Sequence, residues 1–271
     1  MKIGKALRVI IVMSLMVSLF ACAAVAADKV KVGVVGESEE VIWKPLVERL
    51  AKQGIEIELI NFADYVIPNA ALDAGEVDLN AFQHYAYLNN QIKDHGYKIS
   101  SIGDTYISAM CVYSKKIKSL KDLKAGDKIA IPNDAVNTGR ALSVLQGAGI
   151  IKLNTAADKS PELTDITDNP LKIEFVPVDA AQVPSLLPDV AAGVINGNYA
   201  LDFGLSPTND SIFYDDLNFY KDNSFVNLIA ARTKDLDNEV YKKIVKAYQS
   251  EETEKIYREF FEGSYLPGWK K

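Results

Sequence analysis

From residue 29 to 35 the chain alternates apolar Val30, Val32 and Val34 with Lys31 and Gly33, the period of a half-buried strand. Ser38, Glu39 and Glu40 then supply a helix start, and Ile42, Trp43, Leu46, Val47 and Leu50 recur at helical spacing, with Pro45 delaying or bending that start. Gly54 closes the helix, and Ile55, Ile57 and Leu59 alternate with Glu56 and Glu58 as a second strand. This is a βαβ unit. A short helix over 68–74 and a strand over 77–79 repeat the alternation, which predicts an α/β sheet whose ligands bind beyond the carboxyl ends of its strands. Residues 105–113 read as one strand, and the abrupt turn to basic, polar residues over 115–123 places an interdomain crossing near Ala109. A second α/β run follows: a strand over 128–131, a helix over 138–146, and strands over 171–176 and 190–195, with a long polar loop over 154–170. The chain ends in an apolar strand over 225–231 and helices over 238–249 and 251–261. If that last strand rejoins the first lobe, lobe one is 28–110 with 225–271, lobe two is 111–224, and two crossings make a hinged cleft.

Residues 1–27 stand apart from this pattern. Lys2, Lys5 and Arg8 precede the apolar run 9–21, which is a signal peptide. Its removal takes away three positive charges and no negative ones, moving the net charge from -6 to -9. An acidic chain without basic clusters argues against nucleic acid. Two exits from the signal are written in the sequence. Leu19-Phe20-Ala21-Cys22 resembles a lipobox, which would leave a lipidated Cys22 as first residue, whereas Ala24-Val25-Ala26 resembles an ordinary cleavage site. Either way Cys111 has no cysteine to pair with in the processed interior, so no intramolecular disulfide is expected.

The most chemically loaded stretch is 80–90, where Phe82, His84, Tyr85 and Tyr87 fall within six residues. Such a cluster is either ordinary core or the wall of a pocket for an amphipathic small molecule. A second candidate is 133–140, which follows a strand and opens a helix. Asn137 is its N-cap candidate, and the N–H groups of Thr138 and Gly139 together with the Arg140 guanidinium could hold a carboxylate. The alternative is a capped helix with a solvated arginine. Asn196 and Asn227 interrupt apolar strands, and a buried amide there is satisfied either by backbone or by a ligand. The acids Asp215 with Asp216, and Glu251 with Glu252, read as solvated faces. Only two histidines occur, and H-E-x-x-H, C-x-x-C, G-x-S-x-G and the phosphate-binding glycine motifs do not. His95 reads as an exposed helix end and His84 as a neutral hydrogen-bonding wall. No enzyme, metal or cofactor is expected.

Taken in order, Val32-Gly33-Val34, Asp64-Tyr65-Val66-Ile67-Pro68-Asn69, Asn80-Ala81-Phe82-Gln83-His84, Tyr113-Ser114-Lys115-Lys116-Ile117-Lys118-Ser119-Leu120, Asn137-Thr138-Gly139-Arg140 and Tyr199 after Ile195-Asn196 carry a resemblance. Across nearly all of the processed chain, the sequence resembles the methionine-binding lipoproteins of bacterial ABC importers, the MetQ or NlpA type. The resemblance implies a two-lobed periplasmic-binding-protein fold of type II-like topology, no catalysis, and a monomer in the periplasm or on the outer face of the cytoplasmic membrane. It further implies delivery of L-methionine or a close relative to a permease and its ATPase. By matching positions it implies a wall of Tyr65, Phe82, His84 and Tyr87 around the ligand side chain. Arg140, assisted by Asn137, would take the carboxylate, and Asn196 and Asn227 the remaining polar atoms. Departures stand at Ala86, Ala135, Ser108 and Ala109, where the family carries proline or Tyr-Pro, and Tyr85 is bulky beside the wall. They leave another apolar amino acid or a short methionine-containing peptide as alternative ligands, and a structural or adhesive envelope lipoprotein as the alternative of another class.

Overall fold

The computed structural model describes residues 28–154, 160–215 and 222–270; the signal segment with Cys22, and Asp216, lie outside them. The chain runs β1 (Asp28–Val35), α1 (Glu37–Ala51), β2 (Ile55–Phe62), α2 (Ile67–Ala74), β3 (Leu79–His84), α3 (Tyr85–His95), β4 (Ile99–Asp104), β5 (Tyr106–Ser108) and β6 (Cys111–Tyr113). It continues with β7 (Lys128–Pro132), α4 (Ala135–Gly147), β8 (Lys152–Leu153), β9 (Ile166–Asp168), β10 (Glu174–Val178), β11 (Ala192–Ile195), α5 (Gly197–Asp202) and β12 (Ser211–Phe213). It closes with β13 (Asn227–Arg232), α6 (Glu239–Tyr248), α7 (Glu251–Glu259) and β14 (Tyr265–Pro267). Two five-stranded sheets result, ordered β2-β1-β3-β13-β4 and β10-β7-β11-β6-β12.

Within the first sheet β1 runs parallel to β2 and β3, and β13 inserts antiparallel between β3 and β4. In the second sheet β7 runs parallel to β10 and β11, whereas β6 is antiparallel to β11 and β12. The predicted strand over 105–113 is broken. Its first part pairs with β14 and its second part joins the other sheet, so the chain passes between lobes through Ala109 and Met110. A continuous apolar run cannot reveal such a break, because both halves are buried on leaving one sheet and entering the next.

Two other expectations are corrected. The strand predicted over 77–79 lies at Leu79–His84, so most of the aromatic stretch is itself strand and then helix. Polar Asn80 and Gln83 disguise it, yet both are buried and bonded to each other and to Asn69. Pro45 neither delays nor ends its helix. It stands on the exposed side of α1, and the helix runs through it from Glu37 to Ala51. On the other side Ile42, Trp43, Leu46 and Leu50 are fully enclosed by β1, α6 and α7, each contributing about 1.5–3 kcal/mol by burial.

Glu39, in the first turn of α1, is enclosed with them and accepts a hydrogen bond from the Tyr106 hydroxyl. Burial pushes its carboxyl up to about 8, with the Tyr106 bond opposing and the nearby Asp202 charge adding. The unfolded chain ionises this group near 4.5, so between there and about 8 the folded protein binds more protons. Stability from this group is therefore complete at low pH, declines as pH rises through that window, and levels off above it. We expect Glu39→Gln, followed by urea denaturation at pH 5 and pH 8, to match wild type at the lower pH. At the higher pH it should exceed wild type by on the order of a few kcal/mol. Parallel stability profiles for the two proteins would contradict a protonated buried Glu39.

Candidate functional site

The carboxyl ends of β1, β3, β7 and β11 converge on the seam between the sheets, and one cavity opens there. All eight residues singled out from the sequence, Tyr65, Phe82, His84, Tyr87, Asn137, Arg140, Asn196 and Asn227, line it. Gln83, Tyr106, Ser108 and Asn198 complete the lining. The cavity measures about 360 Å³ out to its mouth.

One wall is aromatic. The Tyr65 ring lies 5.8 Å from Phe82, 6.1 Å from Tyr87 and 4.8 Å from Tyr199, in tilted or edge-on arrangements that suit ring quadrupoles. The Tyr87 hydroxyl donates to the Tyr65 carbonyl at 3.0 Å, and the Tyr65 hydroxyl crosses the cleft to the Asn198 side-chain oxygen. Burial raises all three tyrosines, so their phenols stay neutral donors. Behind this wall Asn69, Asn80 and Gln83 form a closed amide network that ties α2, and the loop carrying Tyr65, to the strand carrying Phe82.

His84 ends β3 and caps α3, its Nδ1 accepting the Tyr87 backbone N–H at 3.1 Å. That bond leaves the proton on Nε2, in the tautomer that can serve a hydrogen bond with the Asn137 side chain. Burial and the Arg140 charge pull the imidazole down to about 3, against that hydrogen bond. His84 is therefore a neutral group at physiological pH.

The opposite wall corrects the helix-start expectation. Asp134, not Asn137, caps α4: its carboxylate accepts both the backbone N–H and the side-chain Nδ2 of Asn137, each at 2.9 Å. The Thr138 N–H goes to the Asp134 carbonyl at 2.8 Å, so the predicted cradle of Thr138 and Gly139 amides is closed by the helix itself. Burial raises the Asp134 carboxyl, with these bonds opposing. Held in this way, Asn137 turns its side-chain oxygen to Asn196 Nδ2 at 2.9 Å.

Arg140 is buried rather than solvated. Its Nη2 donates to the Ser108 carbonyl at 2.7 Å and meets Asp215 at 3.3 Å, with the guanidinium 4.6 Å above the Phe225 ring. Asp215, read from sequence as part of a solvated acidic face, is only 7% exposed and also accepts the Met110 N–H. A short acidic pair carries no sign that an arginine 75 residues away will fold against it. Asn196 stands between β11 and α5, and its Oδ1 is buried with no hydrogen-bond partner among the described residues. Asn227 lies on β13 opposite His84, its carbonyl taken by the Thr105 N–H at 2.7 Å.

Of the lining residues missed by sequence reasoning, Gln83 stands within a quoted motif, Asn198 lies between the named Asn196 and Tyr199, and Ser108 was marked as a departure. Tyr106 carried no signal beyond a strand position. Tyr85, suspected of crowding the wall, points away and donates to Asp104 at 2.7 Å. The cavity thus combines rings, amides, a neutral imidazole and a buried ion pair. Such a combination suits a small amphipathic molecule. Among the described residues no group of His, Cys, Asp and Glu is arranged to hold a metal. The His84 ring resonances should stay flat from pH 8 to pH 5 in NMR titration; a midpoint inside that range would contradict the neutral wall.

The NlpA lipoprotein profile matches residues 30–269. The D-methionine-binding lipoprotein MetQ of Salmonella typhi is 44% identical over 246 residues, 89% of each chain. Outer membrane lipoprotein 3 of Mannheimia haemolytica is 44% identical over 245 residues, 90% of this chain and 91% of its own. A nutrient-binding protein from Burkholderia cenocepacia, solved bound to methionine, is 48% identical with a TM-score of 0.81, covering 88% of this chain and 99% of its own. In sequence and in its two-lobed fold, the chain belongs to the NlpA lipoprotein family.

Proposed function

We propose that this protein is an extracytoplasmic solute-binding protein that captures methionine in the cleft and delivers it to an ABC permease and its ATPase, without catalysis. The observation that carries the reading is the buried Oδ1 of Asn196, without a hydrogen-bond partner among the described residues, on a residue that lines a cavity together with aromatic rings and Arg140. A buried acceptor without a donor costs about 1–3 kcal/mol, and a ligand α-ammonium removes that cost. The rings Tyr65, Phe82 and Tyr87 suit a thioether side chain, which packs favourably against ring edges. Arg140 and the amides Asn137 and Asn227 suit the carboxylate end, and the paired Asp215 keeps the pocket near neutral, as a zwitterion requires. Names of relatives and a methionine-bound relative support the ligand class. The lobes in this reading are 28–110 with 225–271, and 111–224. A monomer, lipidated at Cys22 and held in the periplasm or on the outer face of the cytoplasmic membrane, completes it.

Isothermal titration of L- and of D-methionine into protein stripped by unfolding and refolding tests this. Saturable one-to-one binding is expected, weakened roughly 10- to 100-fold by Asn196→Ala with little change in melting temperature. Arg140→Ala is a poorer test, because leaving Asp215 buried without its partner costs about 3–5 kcal/mol of stability. No heat and no thermal stabilisation with either enantiomer would overturn methionine as the ligand.

A further inference from the structure

Away from the cavity, the two lobes touch through carboxylates that reach across the seam in opposite directions. Asp202, the last residue of α5 in the second lobe, accepts the backbone N–H of Ser38 in the first turn of α1 at 2.7 Å. The N-terminus of α1 has no side-chain cap from its own lobe; its N-cap residue is Gly36. A Cβ on Gly36 would stand 2.0 Å from Asp202 Oδ2, so the absence of a side chain there lets the carboxylate of the other lobe seat itself. From the first lobe Glu262, held at φ 49, accepts from Asn209 Nδ2 at 2.9 Å and from the Thr208 and Ser206 hydroxyls at 3.2 and 3.3 Å.

Helix α5 also begins at the cavity. Asn196 precedes it, Asn198 accepts the Tyr65 hydroxyl, and Tyr199 packs on Tyr65. One short helix thus carries cleft-lining groups at its start and a cross-lobe carboxylate at its end, with no flexible link between them.

We propose that Asp202 is a closure latch. It caps α1 of the opposite lobe only when the lobes are together, and through α5 it makes ligand retention depend on that cap. The residue touches no ligand; it is a positioning residue for the closed cleft, and Glu262 is its counterpart from the first lobe. The inference rests on the reading of a hinged methionine-binding cleft. It implies that association is set by the open cleft and dissociation by the latch.

The test is dissociation of methionine by stopped-flow fluorescence, together with interlobe distance from spin labels at Lys52→Cys and Lys116→Cys, Cys111 being buried. Asp202→Ala should speed dissociation about tenfold, the size of a lost N-cap, while association changes less than twofold. The ligand-free interlobe distances should also move to longer values. Asp202→Asn, which keeps a side-chain acceptor for the Ser38 N–H, should fall between Ala and wild type and covers the case in which Ala does not fold. Wild-type dissociation and wild-type distances in the variants, even with a lowered melting temperature, would make Asp202 a purely structural cap and overturn the latch. Failure of wild type to bind methionine would sink the ligand reading alone, because the ligand-free distances then decide the latch.

Discussion

Buried polar groups must find partners, and the cleft of this protein is organised by that requirement. A chain of contacts runs from His84 at the end of β3 to Asn137 on α4 and on to Asn196 between β11 and α5. Each member is fixed by a bond outside the cavity: His84 by the Tyr87 N–H, Asn137 by Asp134, and Asn196 by the turn into α5. The chain spans the seam between the sheets. It therefore orders the cavity lining and joins the lobes with the same bonds, and it leaves one acceptor, Asn196 Oδ1, without a partner among the described residues.

The apolar part of the site depends on a similar device one layer back. Asn69, Asn80 and Gln83 satisfy one another beneath the rings, so a strand dense in amides can be buried without loss. Phe82 is thereby held on its strand, and the loop that carries Tyr65 is tied to it through the helix that follows. Such preorganisation favours binding, since less side-chain freedom is lost when a ligand arrives. Arg140 is treated in the same way, between Asp215, the Ser108 carbonyl and the Phe225 ring. Its charge is buried with a counterion, which lets a cation stand in a closed cavity at all.

The crossing between lobes belongs to this picture. Ser108, just before the passage through Ala109 and Met110, receives Arg140 from the second lobe, while Tyr106 two residues earlier is tied to Glu39 in the first. The segment that links the lobes is thus anchored on each side by a buried polar bond. Its partner β14 brings the chain terminus back to the same place.

By itself the sequence determined the local elements and picked out residues that the fold gathers around one cavity. Period-two runs such as 29–35 and the helical spacing from Ile42 to Leu50 are short-range consequences of side-chain burial, and all eight nominated residues line one cavity. The motif order also carried the family. Tertiary structure alone decided what each polar group bonds to. Asp134 displaced Asn137 as the helix cap, Asp215 left the surface to pair with Arg140, Pro45 was absorbed on an exposed face, and 105–113 was divided between two sheets. The physical reason is one of range. Hydrophobic periodicity is written within a few residues, whereas the partner of a buried charge or amide is set by chain segments tens of residues apart, which only the closed fold brings within hydrogen-bond distance.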